Sequence, residues 1–132
     1  IGMMGLSYGG TMTVMTAAVE PRIKAADVSG YINSFRGFGL ERGNFCGSQV
    51  FPEVYKYFDT HDIAGLIAPR PLLVEMGMFD DCFKFEDLLR GYEGVKRIYE
   101  AAGAGDRLEA DIFPGPHSFA GNKAFSFFKK YL

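Results

Sequence analysis

Gly5-Leu6-Ser7-Tyr8-Gly9-Gly10 follows the apolar run Ile1-Gly2-Met3-Met4 and leads into the helix-compatible stretch Met12 to Val19. A serine between glycines at a strand-to-helix junction predicts a nucleophile elbow, a turn so sharp that the serine backbone is strained and its hydroxyl pushed into the open. Gly5 and Gly9 are expected to be glycine because a Cβ at either would strike the neighbouring strand or helix. The helix that follows would point its positive end at an oxyanion forming beside Ser7.

Outward from this turn, strand and helix signals alternate. Ile1 to Gly5 reads as a buried strand and Tyr8 to Val19 as a helix, stopped by Pro21, with Met12 and Met15 filling space beneath it. Lys24 to Ser29 is a second strand. Tyr31 to Ser48, rich in Gly, Phe and Asn and without a period, reads as a long loop of the kind that forms lids or binding walls. Short helices are expected over Glu53 to Phe58 and over Asp62 to Ala68, the latter with Thr60 as N-cap. Leu72 to Met76 is the clearest strand. Lys84 to Ala102 carries Leu88, Leu89, Tyr92, Val95, Ile98 and Tyr99 at helical spacing, weakened locally by Gly91 and Gly94. Arg107 to Phe113 is a fourth strand, Pro114-Gly115-Pro116 a turn, and Asn122 to Tyr131 a closing helix. The alternation predicts an α/β fold: a parallel sheet with helices on both faces.

The chain has 132 residues and a net charge of −2, long enough for a core but without the basic footprint of a nucleic-acid or anionic-membrane binder. No apolar stretch approaches the roughly 20 residues of a membrane span. The first residues lack the basic region and cleavage site of a secretory signal, and the sequence assigns no compartment. Cys46 and Cys82 are far apart, share no metal-ligand spacing and read as two independent thiols. The chain opens without Met inside a strand that such sheets flank on both sides, so residues 1–132 are expected to be the C-terminal half of a larger catalytic domain, the N-terminal half acting as its partner.

An activated serine needs a base and a carboxylate to orient that base. Of the two histidines, His117 lies just past the fourth strand, at the sheet edge where the elbow opens. His61, before a predicted helix, reads as a surface or capping residue. The loop Gly77-Met78-Phe79-Asp80-Asp81 places a carboxylate at the same edge. Asp80 is the first choice for the acid, with Asp81 and then Glu75 as alternatives, and Asp27 reads as structural. The backbone N–H of Tyr8 is one expected oxyanion donor. The second normally comes from an earlier loop, and losing one such donor costs about 10² to 10³ in turnover, so residues 1–132 alone are expected to be a weak catalyst. Tyr31, Phe35, Phe38 and Phe119 are candidates for an apolar wall and Arg36 and Arg42 for contact with an anionic group; packing and a solvated loop are the more ordinary readings of each.

These residues resemble the C-terminal half of an α/β-hydrolase of the dienelactone-hydrolase and acetyl-xylan-esterase-like group. The resemblance rests on G-L-S-Y-G-G, on D-V-S-G-Y-I-N-S-F (residues 27–35), on C-G-S-Q-V-F-P (46–52), on D-I-A-G-L-I-A-P-R-P-L-L-V-E-M-G (62–77) with the F-D-D-C-F that follows, and on F-P-G-P-H-S-F (113–119). The order Ser7, Asp80, His117 is the order α/β-hydrolases use. The resemblance implies hydrolysis of carboxylic esters, acetyl or other acyl esters of carbohydrates among them, by Ser7, Asp80 and His117, with a small-molecule ester as partner and no metal or organic cofactor. Relatives often carry Gly-Gly-His where this chain has Gly115-Pro116-His117, and true dienelactone hydrolase uses a cysteine where Ser7 stands. A serine peptidase of the prolyl-oligopeptidase type and a non-catalytic binding module on the same fold are the rival expectations.

Overall fold

The computed structural model describes residues 1–43 and 53–132. Four parallel strands, β1 (Gly2–Leu6), β2 (Ala25–Ser29), β3 (Leu72–Gly77) and β4 (Leu108–Phe113), lie side by side in chain order. Every residue of β2 and β3 is buried, as a parallel sheet covered on both faces requires. Alternation along the strands divides the core. Ala26, Val28, Leu72, Val74, Met76 and Leu108 face α1 (Tyr8–Val19), α2 (Thr60–Gly65) and α3 (Phe85–Ala101), whereas Ala25 and Leu73 face α4 (Ala124–Tyr131) through Ala124 and Phe127. Among the described residues β1 and β4 are the edge strands, paired with β2 alone and β3 alone.

Helix α3 runs unbroken through Gly91 and Gly94 because both are contact points: a Cβ at Gly91 would stand 2.8 Å from the Asn33 carbonyl oxygen, and one at Gly94 would stand 2.5 Å from the His61 ring. His61 thus packs between α2 and α3 rather than capping a helix. The N-cap of α2 is Asp59, not Thr60. The Asp59 carboxylate takes the Thr60 N–H and Asp62 returns a bond to the Asp59 N–H, a capping box, while the Thr60 hydroxyl is drawn to the Asn33 carbonyl. That helix ends at Gly65 rather than Ala68, and the segment after Pro52 forms one 3₁₀ turn, Val54–Lys56.

The region expected to be loop contains a π-helical turn, Arg36–Glu41. Residues 44–52, with Cys46 and the C-G-S-Q-V-F-P motif, lie outside the described residues. Tyr31 and Phe35 are buried in the core and do not line a wall. Met12 is 46 % exposed, while Met15 packs against the core. No helix among the described residues is long and apolar enough to cross a membrane.

Candidate active site

The site forms at the carboxyl ends of β1 to β4. Ser7 occupies the turn between β1 and α1 at φ 58°, ψ −118°, a conformation that costs a non-glycine residue energy and persists only where its surroundings enforce it. The Ser7 N–H donates to the Ser29 carbonyl at the end of β2 (3.0 Å), and its own carbonyl accepts the Thr11 N–H of α1 (3.0 Å). A Cβ on Gly5 would lie 2.2 Å from the Gly9 carbonyl oxygen, so Gly5 is needed. Gly9 is not needed in the way expected: a Cβ there meets nothing within 4 Å. The crowded position is Gly10, where a Cβ would stand 2.9 Å from Tyr31 Cβ and 3.0 Å from the Ser29 carbonyl oxygen. Tyr8 opens α1, and N–H groups of a first turn have no acceptor within the helix.

His117 and Asp80 meet. His117 Nδ1 lies 2.7 Å from Asp80 Oδ2, with the two side chains 15 % and 1 % exposed. The other carboxylate oxygen, Oδ1, accepts the N–H groups of Cys82 and Phe83, each at 2.8 Å. A carboxylate so placed accepts from Nδ1, which leaves the proton-free lone pair on Nε2. Nε2 is buried and has no hydrogen-bond partner among the described residues. The imidazole lies over Gly30: a Cβ there would stand 3.0 Å from His117 Cε1, 3.1 Å from Nδ1 and 3.3 Å from the Leu6 side chain. His117, the β2 terminus and the residue preceding Ser7 therefore share one contact region. No hydrogen bond joins Ser7 Oγ to His117 in this state.

The alternative acids lie elsewhere. Asp81 is exposed, and its carbonyl, with that of Cys82, accepts from the Arg42 guanidinium (3.0 and 2.6 Å), so Arg42 braces the acid turn. Arg36 pairs with Glu41 on the exposed face of the π-helical turn. Glu75 is buried in β3 and accepts the N–H groups of Ala120 and Gly121, each at 3.1 Å, which pins the chain just after His117. Burial pushes its carboxyl up from the usual carboxylate range, against the pull of those bonds. Asp27, also fully buried and with neither oxygen partnered among the described residues, is pushed up to about 8, first by burial and then by the charges of Glu75 and Asp111.

Two neighbours of His117 had no role in the sequence reading. Phe83 tilts against the imidazole with ring centroids 5.5 Å apart and stacks on Phe38 at 4.5 Å, while Cys82, a free thiol, packs beside it. Both belong to F-D-D-C-F, and the tight Asp80 turn is the local signal that brings them back toward the carboxylate. Phe119 is exposed near the histidine loop. Pro116 presses its carbonyl on β3, where a Cβ at Gly77 would stand 2.5 Å from it.

No family model matches the chain. Over 110 residues it is 32 % identical to YtaP of Bacillus subtilis (strain 168), a protein named as a candidate hydrolase, in a match covering 80 % of this chain and 36 % of that protein. A carbohydrate esterase family 15 glucuronoyl esterase from Caldicellulosiruptor kristjansonii superposes with a TM-score of 0.75 at 22 % identity, over 94 % of this chain and 40 % of its own. The catalytic domain of a Hypocrea jecorina glucuronoyl esterase superposes with a TM-score of 0.72 at 21 % identity, over all of this chain and 44 % of its own. The chain thus spans between 36 % and 44 % of the length of these three proteins. With the parallel β1-β2-β3-β4 sheet, the helices on both its faces and the serine turn after β1, these likenesses establish that the chain is built on the α/β-hydrolase fold.

Proposed function

We propose that this chain carries the serine, base and acid of a carboxylic ester hydrolase. The observation that carries the reading is the His117–Asp80 pair at 2.7 Å, with Nε2 buried and unpartnered beside the strained turn that holds Ser7. In the proposed reaction Ser7 Oγ attacks the ester carbonyl while its proton passes to His117 Nε2. The oxyanion is held by the Tyr8 N–H and by a second donor from a segment outside this chain, which would also supply the strands flanking β1. The protonated Nε2 then gives its proton to the leaving alkoxide. Water, deprotonated by the same nitrogen, releases the acid from Ser7. Asp80 keeps Nδ1 protonated and stabilises the imidazolium. The reaction so written uses no metal or organic cofactor.

The substrate reading is an ester of a carbohydrate, supported by the names of the structural neighbours, two of them glucuronoyl esterases and a third, at a TM-score of 0.71 and 23 % identity, the methylesterase BT1017. The test is hydrolysis of p-nitrophenyl acetate and of a methyl glucuronate by the full-length protein and by Ser7→Ala. Turnover of either ester lost in the variant is the expected result. Equal turnover in both proteins would remove Ser7 from the mechanism.

A further inference from the structure

A carboxylate oxygen of Asp80, Cys82 Sγ and a ring nitrogen of His117 all lie within 4.8 Å of one another, and no other such set of three occurs among the described residues. The grouping is built by the fold. The two bonds from the Cys82 and Phe83 N–H groups to Asp80 Oδ1 curl the chain so that the thiol returns to the carboxylate, and Arg42 fixes the carbonyls of that turn. His117 arrives from the far end of β4, held down by Glu75 through Ala120 and Gly121. All three residues are intermediate in exposure, with the side chain of His117 15 % and that of Asp80 1 % exposed, so the group is ordered and does not meet solvent through the Asp80 carboxylate.

We propose that a thiophilic divalent cation of the zinc class binds Asp80, Cys82 and His117 and thereby switches the base off. Carboxylate, thiolate and imidazole are the donors zinc prefers, and one thiolate with one carboxylate neutralises its charge. Tetrahedral bonds of about 2.0–2.3 Å set donor atoms about 3.3–3.8 Å apart. The Nδ1–Oδ2 pair, now at 2.7 Å, therefore opens by about 0.6 Å and the thiol draws in, leaving a fourth position for water. On binding, the Cys82 S–H proton leaves to solvent and the imidazole's one proton moves from Nδ1 to Nε2 by exchange with water, so one proton is released in all. With Nδ1 occupied by the ion, a neutral imidazole must carry its proton on Nε2, which then donates and cannot take a proton from Ser7. The inhibitory half of this inference rests on the proposed role of His117. The binding half does not.

The experiment has two readouts on the full-length protein. Ester hydrolysis is measured against zinc concentration, with recovery on adding a chelator, for the wild type and for Cys82→Ala, whose thiol takes no part in the proposed reaction. The expected result is reversible inhibition of the wild type, unchanged zinc-free activity in the variant, and an inhibiting concentration raised by more than about tenfold, since even outer-shell changes at metal sites cost about 10- to 100-fold in affinity. In parallel, cobalt substitution is followed by its thiolate charge-transfer absorption, which must appear in the wild type and vanish in Cys82→Ala. That signal, present in a protein without esterase turnover, would sustain the site while defeating the functional reading. Zinc inhibition of equal potency in the two proteins, a wild type indifferent to zinc, or a cobalt band that survives Cys82→Ala would each overturn the proposal.

Discussion

Replacing Asp80 by asparagine removes one charge, but the structure decides what the amide does in its place. Two N–H groups aim at Oδ1 at 2.8 Å, so the amide oxygen must stay there; an NH₂ in that position would leave two donors unsatisfied, at about 1–3 kcal/mol each. The NH₂ then takes the place of Oδ2, 2.7 Å from His117 Nδ1, and donates to it. Nδ1 must accept, so the imidazole proton moves to Nε2 and the lone pair that Ser7 would use is lost. The wrong tautomer in a serine triad lowers kcat by about 10⁴, or about 5.5 kcal/mol of transition-state stabilisation. Both backbone bonds to Oδ1 survive, so the melting transition should move by no more than about 1–2 kcal/mol. Asp81→Asn, at an exposed side chain, should leave kcat within about 0.5 kcal/mol of wild type. The assay is p-nitrophenyl acetate turnover by the full-length variants, each checked by thermal melting. A folded Asp80→Asn protein with kcat within about tenfold (about 1.4 kcal/mol) of wild type would refute the reasoning.

Three further outcomes follow from the same geometry. Gly30→Ala puts a Cβ 3.0 Å from the imidazole at a φ of +55°, so backbone strain of about 1–3 kcal/mol and a displaced ring should lower turnover by up to about 10²-fold; unchanged kinetics would show the ring is not seated there. Gly9→Ala should leave stability unchanged or raise it by up to about 1 kcal/mol, whereas Gly10→Ala should lower it by about 1–3 kcal/mol, a contrast read by urea unfolding. Asp27 binds its proton up to about pH 8 when folded but only to about pH 4 when unfolded. Its contribution to stability is therefore complete below pH 4 and is lost as pH rises toward 8, at up to about 1.4 kcal/mol per pH unit. Asp27→Asn should flatten that part of the stability profile, and an unaltered slope would assign it to other groups.

The four strands were legible to within a residue or two because each is a short apolar run ended by Gly, Pro or a charged turn, and alternation of strand with helix leaves few topologies open. The meeting of Asp80 with His117 could be anticipated for the same reason: parallel strands deliver the loops after β3 and β4 to one edge. What the sequence concealed depends on contacts. Gly9 and Gly10 look alike as letters, and only the phase of α1 against Tyr31 and Ser29 decides which is crowded. Asp59 and Thr60 are both good caps. Asp59 takes the position because Asp62 reciprocates and because its carboxylate also accepts the Phe35 N–H at 2.7 Å, while the Thr60 hydroxyl serves Asn33 instead. The π-helical turn at Arg36–Glu41 has no apolar period to announce it. Phe83 and Cys82 become neighbours of His117 only when a strand more than 20 residues further on comes home.

The two sides of the site are held with unequal firmness. On the acid–base side, Met78 and Phe79 donate to the carbonyls of Phe113 and Gly115, each at 2.9 Å, Pro116 rests on Gly77, and Glu75 secures Ala120 and Gly121. These contacts knit the ends of β3 and β4 into one piece, so Asp80 and His117 cannot drift apart without breaking several bonds. On the Ser7 side, the turn is tied across the sheet by the single Ser7 N–H to Ser29. The separation of Ser7 Oγ from Nε2 is therefore set by how β1 sits against β2. A misplacement of 1 Å in such a pair is worth about 10² in rate. The proposed chemistry is thus sensitive to the seating of β1, while Asp80 and His117 are held together as one unit.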